Sequence, residues 1–310
     1  KENVNFIIGP VGTSVVLGVA PLAEEKKIIL ITTGAQGDQI TNSGDYIFRT
    51  MTRFSQDAPI LGKIVAQKTK AEKVHVLGVN TDALPSIINA FSKTFTENGG
   101  QFGLIEKYSP TEKDFRSILT KIKAEGVKEE SEDDNIGNAE AKNKEGNTVH
   151  IMLFGIPKAV SLQLKQAKEL GIDAKYYGIS ALESRELIES AGELANGIIF
   201  LSPYDDFGSD EKVKEFQGKY MRRYNEKNDM YAAISYDTLH VLSDCFGRFG
   251  NNYNDDSEEG IEEIKNCLYG TQNYDGASGR FSFDSNGDVD RDFVLKEIIN
   301  KEFVTVDRLE

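Results

Sequence analysis

Residues 5–41 constrain the fold of this chain more than any other stretch of the sequence. They contain two short apolar runs, Phe6–Ile8 and Ile28–Ile31, each with the length and composition of a buried strand. Between the two runs, Ser14–Glu25 has the apolar periodicity of a single helix. Two buried strands joined by a helix predict a right-handed crossover in a parallel sheet, and therefore an α/β fold.

Small and hydroxylated residues follow both strands at once, in the segments GPVGTS (residues 9–14) and TTGAQ (residues 32–36). Both turns open at the carboxyl edge of the predicted sheet, where open α/β folds bind their ligands. Glycine allows a ligand to approach the backbone closely, and the free N–H groups at a helix start favour an anion. The turns therefore predict a site for a small molecule with a carboxylate. The alternative is ordinary helix capping, which favours the same residue types.

The rest of the chain alternates short apolar strands with amphipathic helices and ends in β segments. Strands are predicted at residues 46–50, 74–78, 104–108, 149–154, 175–179, 197–202, 280–283, 293–299 and 303–306. Helices are predicted at residues 55–68, 84–97, 114–124, 159–170, 183–191, 210–225, 231–249 and 258–268. Because 310 residues exceed one typical core, this order favours two parallel-sheet lobes.

Composition and missing motifs exclude several function classes. A net charge of −14 without a basic stripe argues against a nucleic-acid partner. No apolar run approaches the ~20 residues that span a bilayer. The sequence contains no GxxxxGK, GxGxxG, HExxH or GxSxG motif and no evident nucleophile–base pair. These observations predict a binding protein that is not an enzyme and has no cofactor.

Metal binding is not predicted either, because two cysteines and three scattered histidines are too few ligands. Residues 284–290 resemble part of a calcium loop, but the expected glutamate is replaced by Leu295. The pair Asn286-Gly287 beside a strand favours a hairpin turn instead.

Cys245 and Cys267 lie in neighbouring predicted helices. A disulfide between them would suit an exported protein, and two free buried thiols are the alternative.

Two segments depart from the regular pattern. Residues 127–148 are acidic and polar with almost no apolar side chains, which predicts a solvent-exposed insertion. At the other end, Lys1 leads straight into a strand with no signal peptide before it. We therefore expect that an N-terminal portion precedes the given sequence.

The sequence resembles the branched-chain amino acid binding proteins of ABC transporters, which are type I periplasmic binding proteins. The segments that carry this resemblance are IIGPVGTS, TTGA, YIFRT, LKQAKELGI, ESAGELANGIIF, YAAISYD and GRFSFDSNGDV. It covers nearly the whole chain apart from residues 127–148. The resemblance implies two doubly wound lobes joined by three hinge strands and closing on a ligand. Lobe 1 would be residues 1–52 plus 206–288, and lobe 2 would be residues 53–205 plus 289–310. Further βα units of lobe 1 would precede Lys1.

The resemblance also implies ligand contacts in lobe 1. Its two loops match Gly12-Thr13-Ser14 and Gly34-Ala35-Gln36. Thr13 and Gln36 would meet the ligand carboxylate, and the carbonyl of Gly34 would meet an amine. The family usually has threonine where this chain has Gln36, so one hydroxyl is lost while the backbone donor remains. Tyr231, at the start of a long helix, would line the cleft or pack in the core.

Lobe 2 departs further from the family pattern. Ser180 stands where family members carry the acidic residue that pairs with a ligand amine, and Ala83 and Ile156 stand where they carry aromatic residues. A buried ammonium without a carboxylate would be costly. The candidates for a substitute are Asp82, Glu183 and Asp205. A carboxylate ligand without an amine is therefore as plausible as an amino acid.

The predicted function is that of an extracytoplasmic solute-binding protein, periplasmic or extracellular, with or without a lipid anchor. Its partners would be a small amino acid or organic acid and an ABC permease in the membrane. The alternative is a ligand-sensing domain of a receptor or regulator with the same fold. An enzyme on a flavodoxin-like scaffold is disfavoured by the missing phosphate loop and nucleophile.

Overall fold

The computed structural model describes residues 4–70, 72–128, 148–206, 210–249 and 257–309. The predicted insertion at residues 127–148 lies almost entirely outside them. The chain divides into two compact units. Unit 1 contains residues 1–57, 202–294 and 307–310, and unit 2 contains residues 58–201 and 295–306. None of the described helices has the length and apolar character required to cross a membrane.

Helices and strands alternate along the described chain as far as β8, then three helices follow one another, and β strands come last, as the apolar pattern predicted. The strands are β1 (Phe6–Ile8), β2 (Ile29–Thr32), β3 (Ile47–Arg49), β4 (Lys73–Val79), β5 (Gln101–Tyr108), β6 (Val149–Phe154), β7 (Ala174–Gly178), β8 (Ile199–Ser202), β9 (Tyr274–Gly276), β10 (Gly279–Phe283), β11 (Val289–Asp290), β12 (Phe293–Ile299) and β13 (Glu302–Leu309). The helices are α1 (Thr13–Glu25), α2 (Phe54–Thr69), α3 (Leu84–Glu97), α4 (Arg116–Lys128), α5 (Pro157–Glu169), α6 (Arg185–Ala191), α7 (Glu211–Tyr224), α8 (Met230–Phe249) and α9 (Glu258–Tyr269).

Unit 1 contains a parallel sheet in the order β1-β2-β3. The predicted connection of two parallel neighbouring strands by a helix is confirmed, because α1 joins β1 to β2. Alternate residues of β2 face opposite layers, as the two-residue period of a strand requires. Leu30 packs with Val16 and Ala20 of α1. Ile29 and Ile31 pack on the other side, in a core shared with α8, α9 and the β10 hairpin.

The polar segment after β10 forms a hairpin turn, as predicted. β10 and β11 are antiparallel, with Phe283 opposite Val289. The Asp284 carboxylate accepts hydrogen bonds from the backbone N–H groups of Asn286 and Asp288, at 2.8 and 3.0 Å. The acidic side chain at the start of this turn therefore stabilises the loop backbone itself.

A disulfide bond joins α8 to α9 in unit 1. It links Cys245 and Cys267, whose Cα atoms are 5.8 Å apart and which are separated by 22 positions in the sequence. Both residues are buried in the core that these helices form with β2 and β3. The covalent link therefore fixes the two helices that cover one face of the unit 1 sheet.

Most of unit 2 is built on a sheet with the strand order β13-β12-β8-β7-β6-β4-β5. The five strands from β8 to β5 pair in parallel. The central strands β4 and β6 are mostly apolar and almost entirely buried, which is the pattern of a parallel sheet with helices on both faces. The predicted α/β class with mainly parallel sheets is confirmed.

A buried ion pair connects β12 to the segment after β7 within unit 2. The Nζ atom of Lys296 lies 2.7 Å from Oε1 of Glu183, and the two side chains are 0% and 2% exposed. Taking two charges out of water is costly, and the attraction between them offsets this cost only while both partners are present. Removing one of them leaves an uncompensated charge.

Glu183→Gln and Lys296→Met should each lower the free energy of unfolding by about 3–5 kcal/mol, measured by urea denaturation. The double variant should be more stable than at least one single variant, because it leaves no unpaired charge. Breaking the exposed pair of Glu215 and Lys219 on α7 should have little effect and serves as the control. Additive losses in the double variant would contradict this interpretation.

Replacing both cysteines by serine should destabilise unit 1 by about 3 kcal/mol, because the disulfide closes a loop of moderate length. Thermal unfolding of the oxidised protein and of the double serine variant measures the difference. A reducing agent should lower the melting temperature of the parent protein and leave that of the variant unchanged. Equal melting temperatures for the two oxidised proteins would contradict the prediction.

Candidate functional site

The two small-residue turns of unit 1 meet at one edge of its sheet. The backbone N–H of Gly37 donates to the Thr13 hydroxyl oxygen at 3.1 Å. A Cβ atom added at Gly34 would lie only 3.0 Å from Cβ of Val11, so the second turn passes directly beside the first. Because β1 and β2 are parallel neighbours, both turns follow carboxyl ends of strands. The structure thus brings Gly12–Ser14 and Gly34–Gln36 together.

The first turn ends in the N-terminus of α1, which is suited to an anion. Gly12 is the N-cap residue and has no side chain to cap the first N–H groups. The helix has no acidic residue in its first turn, so its positive end is not neutralised locally. Thr13 is half-buried and Ser14 is exposed. Since the Thr13 oxygen already accepts from Gly37, its hydroxyl proton can be donated elsewhere.

The second turn is held by the hydroxyl of Thr32 at the end of β2. This hydroxyl donates to the carbonyl of Pro10 at 2.5 Å and accepts from the N–H of Ala35 at 3.3 Å. Thr32 is fully buried, so the contact fixes both turns from inside the unit. The position of the turns is therefore set before any ligand binds.

Gln36 directs its side chain into unit 1. Its Nε2 donates to Oδ2 of Asp57 at 2.8 Å, and both side chains are buried. Burial raises the pKa of Asp57 to about 7, although the Gln36 amide favours the charged form. The carbonyl of Gln36 accepts the backbone N–H of Phe54 at 3.1 Å, so this residue ties the second turn to the start of α2. Sequence reasoning missed Asp57, because a single acidic residue in the first turn of a helix is usually exposed.

Arg49 of β3 fixes the position of the second turn. Its Nη1 donates to the carbonyl of Gly37 at 2.8 Å, and its Nε donates to Oδ1 of Asp288 at 2.8 Å. Arg49 is completely buried, and burial lowers its pKa while the Asp288 carboxylate opposes this shift. Sequence reasoning also missed this role. The available signal was a lone charge in the apolar strand segment YIFRT.

Tyr231 also belongs to this part of unit 1. It is the second residue of α8, and its Cε1 atom would lie 3.5 Å from a Cβ atom placed on Gly34. Its side chain is half-buried and packs partly with the core that includes Met230. The structure therefore places Tyr231 beside the second turn as well as at the edge of the core.

In unit 2, the predicted site residues follow three neighbouring strands. Asp82 and Ala83 come after β4, Ile156 comes after β6, and Ser180 comes after β7. The carboxyl ends of parallel strands lie at one edge, so these positions share an edge of the unit 2 sheet. Asp82 is exposed and Ile156 is 44% exposed, whereas Ser180 is fully buried.

Two of the three acidic residues considered as amine partners already pair with cations. Glu183 is bound to Lys296 in unit 2, and Asp205 lies 2.6 Å from Nε of Arg308 in unit 1. Asp82 is exposed. Within the described ranges, no group of three or more metal-ligating side chains comes together. The predicted site residues thus offer mainly hydroxyl and amide donors, and few carboxylates that could pair with a ligand amine.

Comparisons with known proteins identify the family. The model of the periplasmic binding protein family matches residues 1–302. A leucine-, isoleucine-, valine-, threonine- and alanine-binding protein of Pseudomonas aeruginosa is 23% identical over 299 residues, which cover 96% of this chain and 72% of that protein. This chain therefore belongs to the periplasmic binding protein family.

Solved structures show the same fold. The leucine-binding protein LivK of Thermotoga maritima has a TM-score of 0.82 and 25% identity, with 98% of this chain and 79% of that chain covered. A solute-binding protein of an ABC transporter from R. palustris, solved with benzoate, has a TM-score of 0.81 and 17% identity, with coverages of 98% and 77%. The resemblance inferred from sequence is confirmed, and the family implies an extracytoplasmic location.

The stability of unit 1 should depend on the protonation of Asp57. Its folded pKa of about 7 lies above the value of about 4 in an unfolded chain, so folding favours the protonated form between these values. This contribution is present at low pH and is lost as the pH rises through about 7. Asp57→Asn has no carboxyl group to ionise at this position, so only the parent loses this contribution. The stability of the variant relative to the parent should therefore rise between about pH 5 and pH 8, by at most about 1.4 kcal/mol per pH unit.

Urea unfolding of both proteins at the two pH values measures this change. Asp45→Asn, at an exposed position of unit 1, controls for the loss of a carboxylate in general. A stability difference between parent and Asp57→Asn that does not change with pH would contradict the prediction.

Proposed function

We propose that this chain is the solute-binding component of an ABC importer and captures a small carboxylate-bearing solute. The observation that carries the proposal is the pair of turns in unit 1, joined by the Thr13–Gly37 contact at the uncapped start of α1. A helix N-terminus and a hydroxyl donor at the end of a parallel strand are suited to an anionic group. The permease partner is proposed from the family alone.

The ligand carboxylate would bind at the first turn. Thr13 would donate its hydroxyl proton, and the backbone N–H groups of Thr13 and Ser14 would complete the anion site. Gln36 would contribute through its backbone, since its side chain is bound to Asp57. Gly34 lets the second turn pass closely beside Val11 and Tyr231, because an added Cβ atom would lie 3.0 Å from Val11 and 3.5 Å from Tyr231.

Units 1 and 2 would act as the two lobes of the binding protein. The positions after β4, β6 and β7, with Asp82, Ala83, Ile156 and Ser180, would contact the part of the solute away from the carboxylate. Closure would be stabilised only to the extent that the solute binds the closed state more tightly.

The solute need not carry an amine. Ser180 occupies the position of the family's acidic residue, and Glu183 and Asp205 are paired with Lys296 and Arg308. Of the acidic candidates only the exposed Asp82 would then remain for an ammonium, which disfavours an amino acid relative to an acid of the same shape. The protein of R. palustris solved with benzoate illustrates an acid without an amine in this fold.

Calorimetric titration with leucine and with 4-methylpentanoate tests this proposal, because the two differ only in the α-amine. We expect the carboxylate without the amine to bind at least as tightly as leucine. Tighter binding of leucine would show that an amine is recognised and would contradict this part of the proposal. Absence of saturable heat with amino acids, aliphatic acids and benzoates would contradict the proposed class of solute.

Thr13→Val should weaken the binding of the solute about tenfold, because one hydrogen bond to a charged group is lost. Thr13→Ser keeps the hydroxyl and should bind within about twofold of the parent, which separates the donor from its methyl group. Thr111→Val changes an exposed threonine of unit 2 and is the matched control. Equal affinities for Thr13→Val and the parent would contradict the role of the hydroxyl.

A further inference from the structure

Arg291, which follows β11 in unit 1, is a buried cation with one unoccupied hydrogen-bonding edge. The residue is 7% exposed. Its Nη1 donates to the hydroxyl of Ser278 at 3.0 Å, and this hydroxyl donates to the carboxylate of Asp237. Its Nε and Nη2 meet no hydrogen-bond acceptor anywhere in the described ranges of the chain.

The unoccupied edge is costly for the folded protein. A guanidinium does not lose its proton under ordinary conditions, so its buried N–H groups require acceptors. Burial lowers the pKa of Arg291 to about 10, and Asp237 offsets this shift only in part. The ring of Phe281 lies 4.9 Å from the guanidinium carbon, but it covers the face of the group and not its edge.

Arg291 lines an open cavity of about 490 Å³ whose described lining lies entirely in unit 1. This volume is in the range of small-molecule sites, roughly 300–1,000 Å³. The lining also includes the apolar side chains of Val213, Phe293 and Val294, the last two close to Arg291 in the sequence. The cavity therefore combines one buried cation with apolar surface.

The acidic residues of the cavity do not occupy the edge of Arg291. Asp205 pairs with Arg308 at 2.6 Å, and Asp210 accepts the backbone N–H of Lys212 at the start of α7. Asp292 also lines the cavity, but none of its atoms forms a hydrogen bond with Nε or Nη2 of Arg291. The missing acceptor must therefore come from outside the described chain.

The positions of the two open donors select the kind of acceptor. Nε and Nη2 lie on the same edge of the planar guanidinium, and their N–H bonds are nearly parallel. The two oxygens of a carboxylate match this spacing and form a bidentate pair. We propose that this cavity is a second binding site, which holds the carboxylate of a small aliphatic acid on Arg291 and its hydrocarbon part against Phe293 and Val294.

Fluorine NMR with 4,4,4-trifluorobutyrate tests the proposal in solution. The parent protein should show saturable binding, whereas 4,4,4-trifluorobutanol, which lacks the carboxylate, should not bind. Arg291→Lys keeps the charge but loses the two-donor edge and should weaken binding at least about tenfold. Arg223→Lys, a change at an exposed arginine of α7, should leave binding unchanged.

Crystals of the parent protein soaked with 4,4,4-trifluorobutyrate provide a test that does not depend on a variant. Ligand density with its carboxylate on Nε and Nη2 of Arg291 supports the proposal, and water alone in the cavity of soaked crystals overturns it. Binding that is lost in Thr13→Val but kept in Arg291→Lys also overturns it, because the acid would then occupy only the turns of α1.

Discussion

A buried ion pair between β3 and the β10–β11 hairpin holds the candidate site of unit 1 in place. Arg49 and Asp288 are both buried, and Arg49 also binds the carbonyl of Gly37. The hydroxyl of Thr41 donates to Asp288 and accepts from Arg49, which satisfies both charged groups further. Since Gly37 in turn donates to Thr13, a continuous series of contacts connects the hairpin to the first turn of α1.

This arrangement explains how flexible residue types form a defined site. Glycine, serine and threonine lose considerable conformational freedom when they are ordered, and a ligand that had to order them would bind more weakly. In unit 1, Arg49 and Thr32 order the turns from the buried side. Unit 2 has a comparable feature, because the Glu183–Lys296 pair lies next to the turn that contains Ser180. Each unit thus places a buried charge pair near the carboxyl edge of its sheet.

Regular elements could be predicted from the sequence where their apolar pattern is strong. The predicted bounds of α3 and β6 agree with the structure, because a helical stripe and a continuous apolar run define them. β9 was missed, since its residues Tyr274–Gly276 have low strand propensity and are ordered by pairing with β10. The helix predicted from Glu183 begins at Arg185, because Ser184 has an extended backbone.

The location of the site could be predicted from local sequence patterns, whereas the contacts that support it could not. Strand ends follow from local patterns, so residues 9–14 and 32–36 were correctly expected at one sheet edge. The contacts Gln36–Asp57 and Arg49–Asp288 join residues 21 and 239 positions apart, and no local pattern identifies such partners. The open edge of Arg291 likewise exists only because Ser278 and Asp237 fold beside it.

The central claim is that the amides at the start of α1 receive the carboxylate of a solute. Amide-resolved NMR during titration with an acid that binds the protein tests it most directly. The account predicts that the largest shift changes occur at Thr13 and Ser14 and in the turn from Gly34 to Gly37, with smaller changes on the rest of β1 and β2. Saturable binding that leaves the Thr13 and Ser14 amides unshifted would contradict the account.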